Sequence, residues 1–394
     1  MKKIILYSLF TLLALYAPAQ KRIKVACVGN SITYGYTLPE RETQAYPSQL
    51  QQMLGDTYQV GNFGKSGATL LNKGHRPYMQ QEEYRQAMEF AGDIVVIHLG
   101  INDTDPRDWP HYQDEFIRDY LALIDSFRTV RPGCKIIIAK LTPIADRHPR
   151  FESGTRDWHG EIQQAIETVA RVADVQLMDF EQPLYPYPFL LPDAIHPNPE
   201  GAKILAQTVY SAITGDYGGL QMPITYTNGM VLQRDRPLLI KGKANAHSKI
   251  KVKIAGQKKT TETNSQGCWQ VTLAPLAAGG PHTLSITDGK TSLLYKDVLA
   301  GEVWLCSGQS NMEMPLNGFW CQPVENAGRA IAYAGRYPGV RVATVERKGE
   351  YEPQTAAAGK WKESKPENAG DFSATAYFFA RSLNDILGVP VGVI

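Results

Sequence analysis

The sequence predicts an α/β protein: a doubly wound parallel sheet over residues 20–214, a small β-sandwich module over 219–300, and the start of a second α/β domain over 301–394. Three observations predict it. Apolar strand runs alternate with helix-period segments from residue 22 to about 214. Near residue 215 the pattern changes to short alternating strands separated by Gly- and Asn-rich turns. From Gly301 the strand-and-helix alternation returns.

Residues 1–19 read as a secretory signal peptide. Lys2 and Lys3 form a basic start, Ile4 to Tyr16 an apolar stretch too short to span a bilayer, and Ala17-Pro18-Ala19 a small-residue cleavage site. The expected location is therefore periplasmic or extracellular, with no membrane span after cleavage.

In the first domain, strands are expected at Ile23–Val28, Gln59–Phe63, Ile94–Leu99, Lys135–Leu141 and Val175–Phe180. They are continuous apolar runs, as in a parallel sheet covered on both faces. Helices are expected at Gln80–Phe90, Asp114–Arg128 and Glu161–Val172. The last helix opens with Asn198 as N-cap and Pro199 at the first helical position.

In the second stretch, strands are expected at Pro237–Lys241, Lys249–Ile254, Cys268–Leu273, His282–Thr287 and Leu293–Val298. Lys249, Lys251 and Lys253 alternate and read as the solvent face of one strand. The third stretch offers a strand at Glu302–Cys306, a long irregular segment, a helix near Phe372–Ile386 and a strand at Pro390–Ile394.

Composition excludes several function classes. The chain has 394 residues, 43% of them hydrophobic, enough for two or three cores. A net charge of +2 gives no pull toward nucleic acid or acidic membranes. Five cysteines without close spacing argue against a disulfide framework and a zinc site, and Cys27 and Cys306 read as small apolar residues of strands. The oligomeric state stays open.

Ligands of open α/β sheets bind at the carboxyl ends of the strands. Ser31 follows the first strand, the Gly64–Gly67 turn the second, Asn102 the third and His196 the fifth. Four polar candidates thus converge on one edge. Acyl-transfer chemistry gives them roles. Ser31 is the candidate nucleophile, which needs a base. His196 is that base and then the acid for the leaving alcohol, so the rate should fall on the acid side. Asp193, three residues before it, can fix its tautomer. The N–H groups of Ser31 and Gly67 and the amide of Asn102 are candidate oxyanion donors. None of this needs a metal or cofactor. The turn lacks the second glycine of a Gly-x-Ser-x-Gly elbow, which disfavours the common α/β-hydrolase fold.

The blocks Gly29-Asn30-Ser31, Ser66-Gly67, Gly100-Ile101-Asn102-Asp103 and Asp193-Ala194-Ile195-His196-Pro197 resemble, in order, those of the SGNH (GDSL-type) hydrolases. The resemblance covers about residues 22–214 and implies a flavodoxin-like three-layer fold and esterase activity. Asn30 stands where many members have Asp. Asp103 reads as a structural loop carboxylate, and His98 as a core or edge residue. His75, His111, His148 and His159 fall in loops without an assigned role. Tyr34, Tyr36, Trp109, Tyr112 and Trp158 are placed to stack on a sugar or to pack. Arg107 and Trp109, just after Asn102, are possible substrate-binding residues, the arginine for a carboxylate.

Asn228–Arg234 and Asp297–Glu313, the latter containing Gly-Gln-Ser-Asn-Met, resemble the amino-terminal part of the sialate O-acetylesterases. That resemblance makes Ser310 the nucleophile of a second site. No Asp-x-x-His-Pro block follows, and no histidine occurs after His282, so the second site is incomplete here. Either the sequence is part of a longer enzyme or the second domain is degenerate.

Together these readings point to an exported esterase acting on O-acetylated carbohydrate, with O-acetylated sialic acid first among substrates. Acetylated plant polysaccharide, or lipase-like acyl esters, come second. A non-catalytic carbohydrate-binding protein is the alternative of another class.

Overall fold

The computed structural model describes residues 22–145, 147, 155–347 and 359–394, so the signal segment lies outside the described residues. The chain divides into two compact units between Val209 and Tyr210.

The first unit is built on β1 (Ile23–Gly29), β2 (Tyr58–Gly64), β3 (Ile94–His98), β4 (Lys135–Ala139) and β5 (Gln176–Met178). They form one parallel sheet in the order β2-β1-β3-β4-β5. Val25 to Val28 are wholly buried, as the continuous apolar run requires. β5 is shorter than expected because the Asp179 carboxylate accepts the N–H groups of Glu181 and Gln182 and turns the chain.

The helix Phe116–Val130 buries Phe116, Tyr120, Leu123, Ile124 and Phe127, one stripe of a 3.6-residue period. Each such side chain contributes roughly 1.5–3 kcal/mol on burial. The helix Pro199–Thr214 starts as the sequence indicates: Asn198 Oδ1 accepts from the Gly201 N–H at 2.9 Å.

Strand order reverses at β1, which lies between β2 and β3. Open sheets form their ligand crevice at such a switch point. The loops leaving β1 and β3 carry Ser31 and Asn102.

The second unit holds β6 (Val231–Gln233), β7 (Leu238–Lys243), β8 (Lys249–Ile254), β9 (Gln257–Glu262), β10 (Cys268–Leu273), β11 (Gly279–Thr287), β12 (Ser292–Trp304), β13 (Val340–Val345), β14 (Gly359–Glu363) and β15 (Val391–Val393). The pair β7–β10 shares an apolar core with β8, β11 and β12, with Ile240 and Trp269 beside Ile250, Val252 and Ile286. This is the expected small sandwich. Lys249, Lys251 and Lys253 are exposed while Ile250, Val252 and Ile254 are buried. β9 was not legible: Gln-Lys-Lys-Thr-Thr-Glu has no apolar alternation. It ends its sheet with Lys258 and Lys259 exposed, and Lys259 Nζ donates to the Thr272 carbonyl of β10 at 2.6 Å.

β12 runs 13 residues without a break. Its first part pairs antiparallel with β11, and Glu302–Trp304 pair parallel with β15. The sequence suggests two strands with a boundary at Gly301; one strand serves both layers. β13 is parallel to β15, and the helix Ala374–Leu387 packs Ala376, Tyr377 and Ala380 with Val340, Val342 and Val391. The long irregular segment of the sequence reading contains β13 and β14.

Among the described residues no helix is long and apolar enough to cross a membrane. All five cysteines are free, and burial pushes the Cys27 thiol up to about 12.

Candidate active site

The turn that presents Ser31 depends on a glycine. A Cβ on Gly29 would lie 2.1 Å from Thr33 Oγ1 and 2.7 Å from the His98 carbonyl, so no side chain fits. Asn30 follows, wholly buried, and its Oδ1 accepts from the Ile32 N–H at 3.0 Å. This caps the short helix Ser31–Tyr34 and puts Ser31 at its first position. Below the turn, Thr33 Oγ1 lies 3.3 Å from the hydroxyl of buried Tyr46.

His196 reaches Ser31 from the far end of the domain. Its Nε2 is 2.8 Å from Ser31 Oγ, and its Nδ1 is 2.6 Å from Asp193 Oδ2. The carboxylate is an acceptor only, so the network assigns Nδ1 as donor to Asp193 and Nε2 as acceptor from the Ser31 hydroxyl. Asp193 Oδ1 accepts the N–H groups of Ile195 and His196 at 3.1 and 2.7 Å. Partial burial alone would raise this carboxyl; the bonds from the His196 N–H and ring and from the Ile195 N–H outweigh that and hold it below the usual carboxylate range.

The Asp193–His196 turn closes through Ala194, whose φ of 75° is in the left-handed region. The Ala194 carbonyl accepts from the Ala145 N–H at 2.8 Å, which ties this turn to the chain beyond β4.

The second and third loops are joined. Asn102 Nδ2 donates to the Ala68 carbonyl at 2.9 Å, and its amide has a second hydrogen to offer. Asp103, wholly buried, accepts from the Leu70 and Leu71 N–H groups at 2.9 and 2.8 Å. Burial pushes this carboxyl up to about 7 against the pull of those two bonds. Gly67 has φ 77°, a backbone that glycine adopts freely. Among the described residues, the N–H groups of Ser31 and Gly67 have no acceptor in the chain.

These residues line one cavity of about 410 Å³. Its wall carries Ser31, His196, Gly67 and Asn102, together with Tyr36, Ser66 and Arg76. Tyr36 is half-exposed and meets the His196 ring edge-on at 5.0 Å. The arrangement offers a hydroxyl, a base bonded to it, and unused N–H donors around one space.

Two substrate-binding candidates are not part of this wall. Trp109 is 3% exposed, its Nε1 donates to Glu161 Oε2 at 2.6 Å, and it packs edge-on against Phe116. It is a core residue. Arg107 is bound twice by Asp105, at 2.8 and 2.9 Å, so its guanidinium is already occupied. The arginine that does line the cavity is Arg76, which lies in an aperiodic loop with no motif to mark it.

Among the histidines, His98 is buried against Phe180, and burial lowers its imidazole to about 3. His75 is gripped by Asp108 at 2.6 Å, and His159 lies inside the helix Thr155–Ala173 and not in a loop. His148 is outside the described residues. Ser310 heads the four-residue helix Ser310–Glu313 and is exposed.

Residues 27–204 match the GDSL-like Lipase/Acylhydrolase family. The chain is 37% identical over 215 residues to an acetylxylan esterase of Xylanibacter ruminicola, covering 50% of this chain and 44% of that protein. It is 31% identical over 195 residues to the sialate O-acetylesterase of Homo sapiens, covering 45% of this chain and 36% of that protein. A solved carbohydrate acetylesterase from Xanthomonas citri is 36% identical, with a TM-score of 0.42 over 44% of this chain and 39% of that one. The chain therefore spans less than half the length of these curated relatives. The residues that match the GDSL-like lipase/acylhydrolase family model, the SGNH type of hydrolase, are those of the domain that carries Ser31, Asn102 and His196.

Proposed function

We propose that the protein is a carbohydrate O-acetylesterase working through Ser31, His196 and Asp193. The observation that carries this reading is the hydrogen-bonded chain from Asp193 through His196 to Ser31, at 2.6 and 2.8 Å, opening on a cavity with unused donors.

The steps follow from the groups present. Ser31 Oγ attacks the acetyl carbonyl carbon while His196 Nε2 takes its proton. Asp193 steadies the imidazolium. The N–H groups of Ser31 and Gly67 and the free hydrogen of the Asn102 amide meet the oxyanion. The tetrahedral intermediate collapses, the C–O bond to the sugar breaks, and His196 returns the proton to the sugar oxygen. Water then attacks the acetyl-serine with His196 again as base. Acetate leaves and Ser31 regains its proton.

Acetylated carbohydrate as substrate rests on the names of the relatives, an acetylxylan esterase and a sialate O-acetylesterase. O-acetylated sialic acid is the first candidate, on the likeness of the second half. Export is part of the proposal, on the Lys2–Ala19 pattern, and amino-terminal sequencing of protein recovered outside the cytoplasm tests it.

The test of function is acetate release by the full chain from O-acetylated sialosides, acetylxylan and acetylated pectin, with Ser31→Ala as control. Release from at least one that the control abolishes supports the reading. No release from any, with binding to one of them, makes the protein a carbohydrate binder instead.

A further inference from the structure

Arg76 stands on the wall of the cavity beside Ser66 and Gly67. In the same domain Arg41, Arg85, Arg107, Arg118, Arg128 and Arg131 each meet a carboxylate within 4 Å. Among the described residues Arg76 meets none; neither do Arg22 and Arg171, but of these three Arg76 alone lines the cavity. Among the described residues its only side-chain hydrogen bond is from Nη1 to the Ser66 carbonyl at 2.9 Å, which leaves most of the five guanidinium donors free.

The loop that carries Arg76 is held on both sides. The Thr69 N–H donates to the Arg76 carbonyl at 2.9 Å. One residue earlier, buried Asp108 accepts from the His75 N–H at 2.8 Å and holds its ring at 2.6 Å. The guanidinium lies over Gly67, where an added Cβ would come within 3.1 Å of Nη1. The loop backbone is thus fixed, and the guanidinium it carries lies beside Ser66 and Gly67. Next to it the Ser66 hydroxyl is shielded from solvent and has no hydrogen-bond partner among the described residues. Two polar groups of one wall await something outside the chain.

We infer that Arg76 pairs with a carboxylate of the substrate, so that the protein selects acetyl esters carried on acidic sugars. A guanidinium binds a carboxylate through two parallel charge-assisted N–H···O bonds, roughly twice as strong as those it makes to the neutral hydroxyls of a sugar. This rests on the esterase reading of the same site and adds a substrate class to it. The carboxylate can belong to a uronic acid or to a sialic acid; the chemistry of recognition is the same.

The experiment compares kcat/KM for an acetylated uronic acid with its methyl ester, and for O-acetyl sialic acid with its methyl ester. Arg76 is open to water, so the expected preference for the free acid is about 10-fold. It should shrink at high salt. Arg76→Gln should bring the ratio to about 1, and Arg76→Lys should keep part of it. The pair with the larger ratio identifies the sugar. A wild-type ratio of 1 or less, for both pairs, overturns the inference without needing a variant. Equal losses on acid and ester in Arg76→Gln overturn it too, since they mean that Arg76 only props Ser66. Failure of the esterase reading looks different: no Ser31-dependent turnover of the neutral ester para-nitrophenyl acetate at all.

Discussion

The Nε2 of His196 lies 2.8 Å from the Oγ of Ser31, across 165 residues of sequence. No local interaction brings them together; the order of the parallel sheet does. As the proposed base and nucleophile they act as one unit, so their losses should not add. Ser31→Ala and His196→Ala should each cut acetyl-ester turnover by about 10⁴-fold or more, and the double variant should fall no further. Turnover numbers of the three proteins on one acetyl ester check this.

Asp193→Asn and Asn102→Ala probe the two supports of that pair. The first should lower kcat by about 10⁴-fold, because an amide no longer fixes the Nδ1–H tautomer. The second should lower it by about 10²–10³-fold, the usual loss of one oxyanion donor. Both should show the circular dichroism spectrum of the wild type. An Asn102→Ala protein with unchanged kcat and raised KM would assign that side chain to ground-state binding.

Asp103 gives a pH dependence of stability. Its carboxyl, at about 7 in the folded protein, titrates near 3.9 when unfolded. The folded state therefore holds a proton that the unfolded state has released. The sign follows: this contribution is full below pH 4, is lost as pH rises toward 7, and is flat above. The midpoint of urea unfolding should drop across that window. Asp103→Asn should flatten the drop and also lower overall stability, since its amide sets an N–H₂ group against one of the Leu70 and Leu71 N–H donors.

Trp109 tests the division between packing and binding. It is 3% exposed, so Trp109→Ala should destabilise the first domain by about 3–5 kcal/mol. Unfolding curves read this directly, and KM on a small ester should change little in the folded fraction.

Much of the site was legible because it is written in short blocks at strand ends. Val25 to Val28 read as a buried strand, and whatever follows such a strand sits at the sheet's carboxyl edge. Asn198 announced its helix by cap chemistry alone. What stayed hidden depends on contacts between distant residues. Asp103 reads as a loop carboxylate, but only the fold shows it holding the Leu70–Leu71 backbone. Arg107 looked free in sequence because its partner, Asp105, is two residues away, and a nearby acidic residue does not reveal a bidentate pair. Arg76 carries no periodic or motif signal; its place is set by Thr69 and Asp108. In the second unit β9 was missed because an edge strand need not bury anything, and its lysines hide the alternation that marks β8.

The most direct measurement is the site of labelling by a serine-reactive fluorophosphonate, located by mass spectrometry of the digested protein. Such a reagent modifies a serine only where a base activates it. The sequence has no histidine after His282, and Ser310 lies at an exposed helix start. The expected result is a single modified serine, Ser31, with labelling lost in His196→Ala and kept in Ser310→Ala. Labelling at Ser310, or at Ser31 with undiminished rate in His196→Ala, would contradict the account.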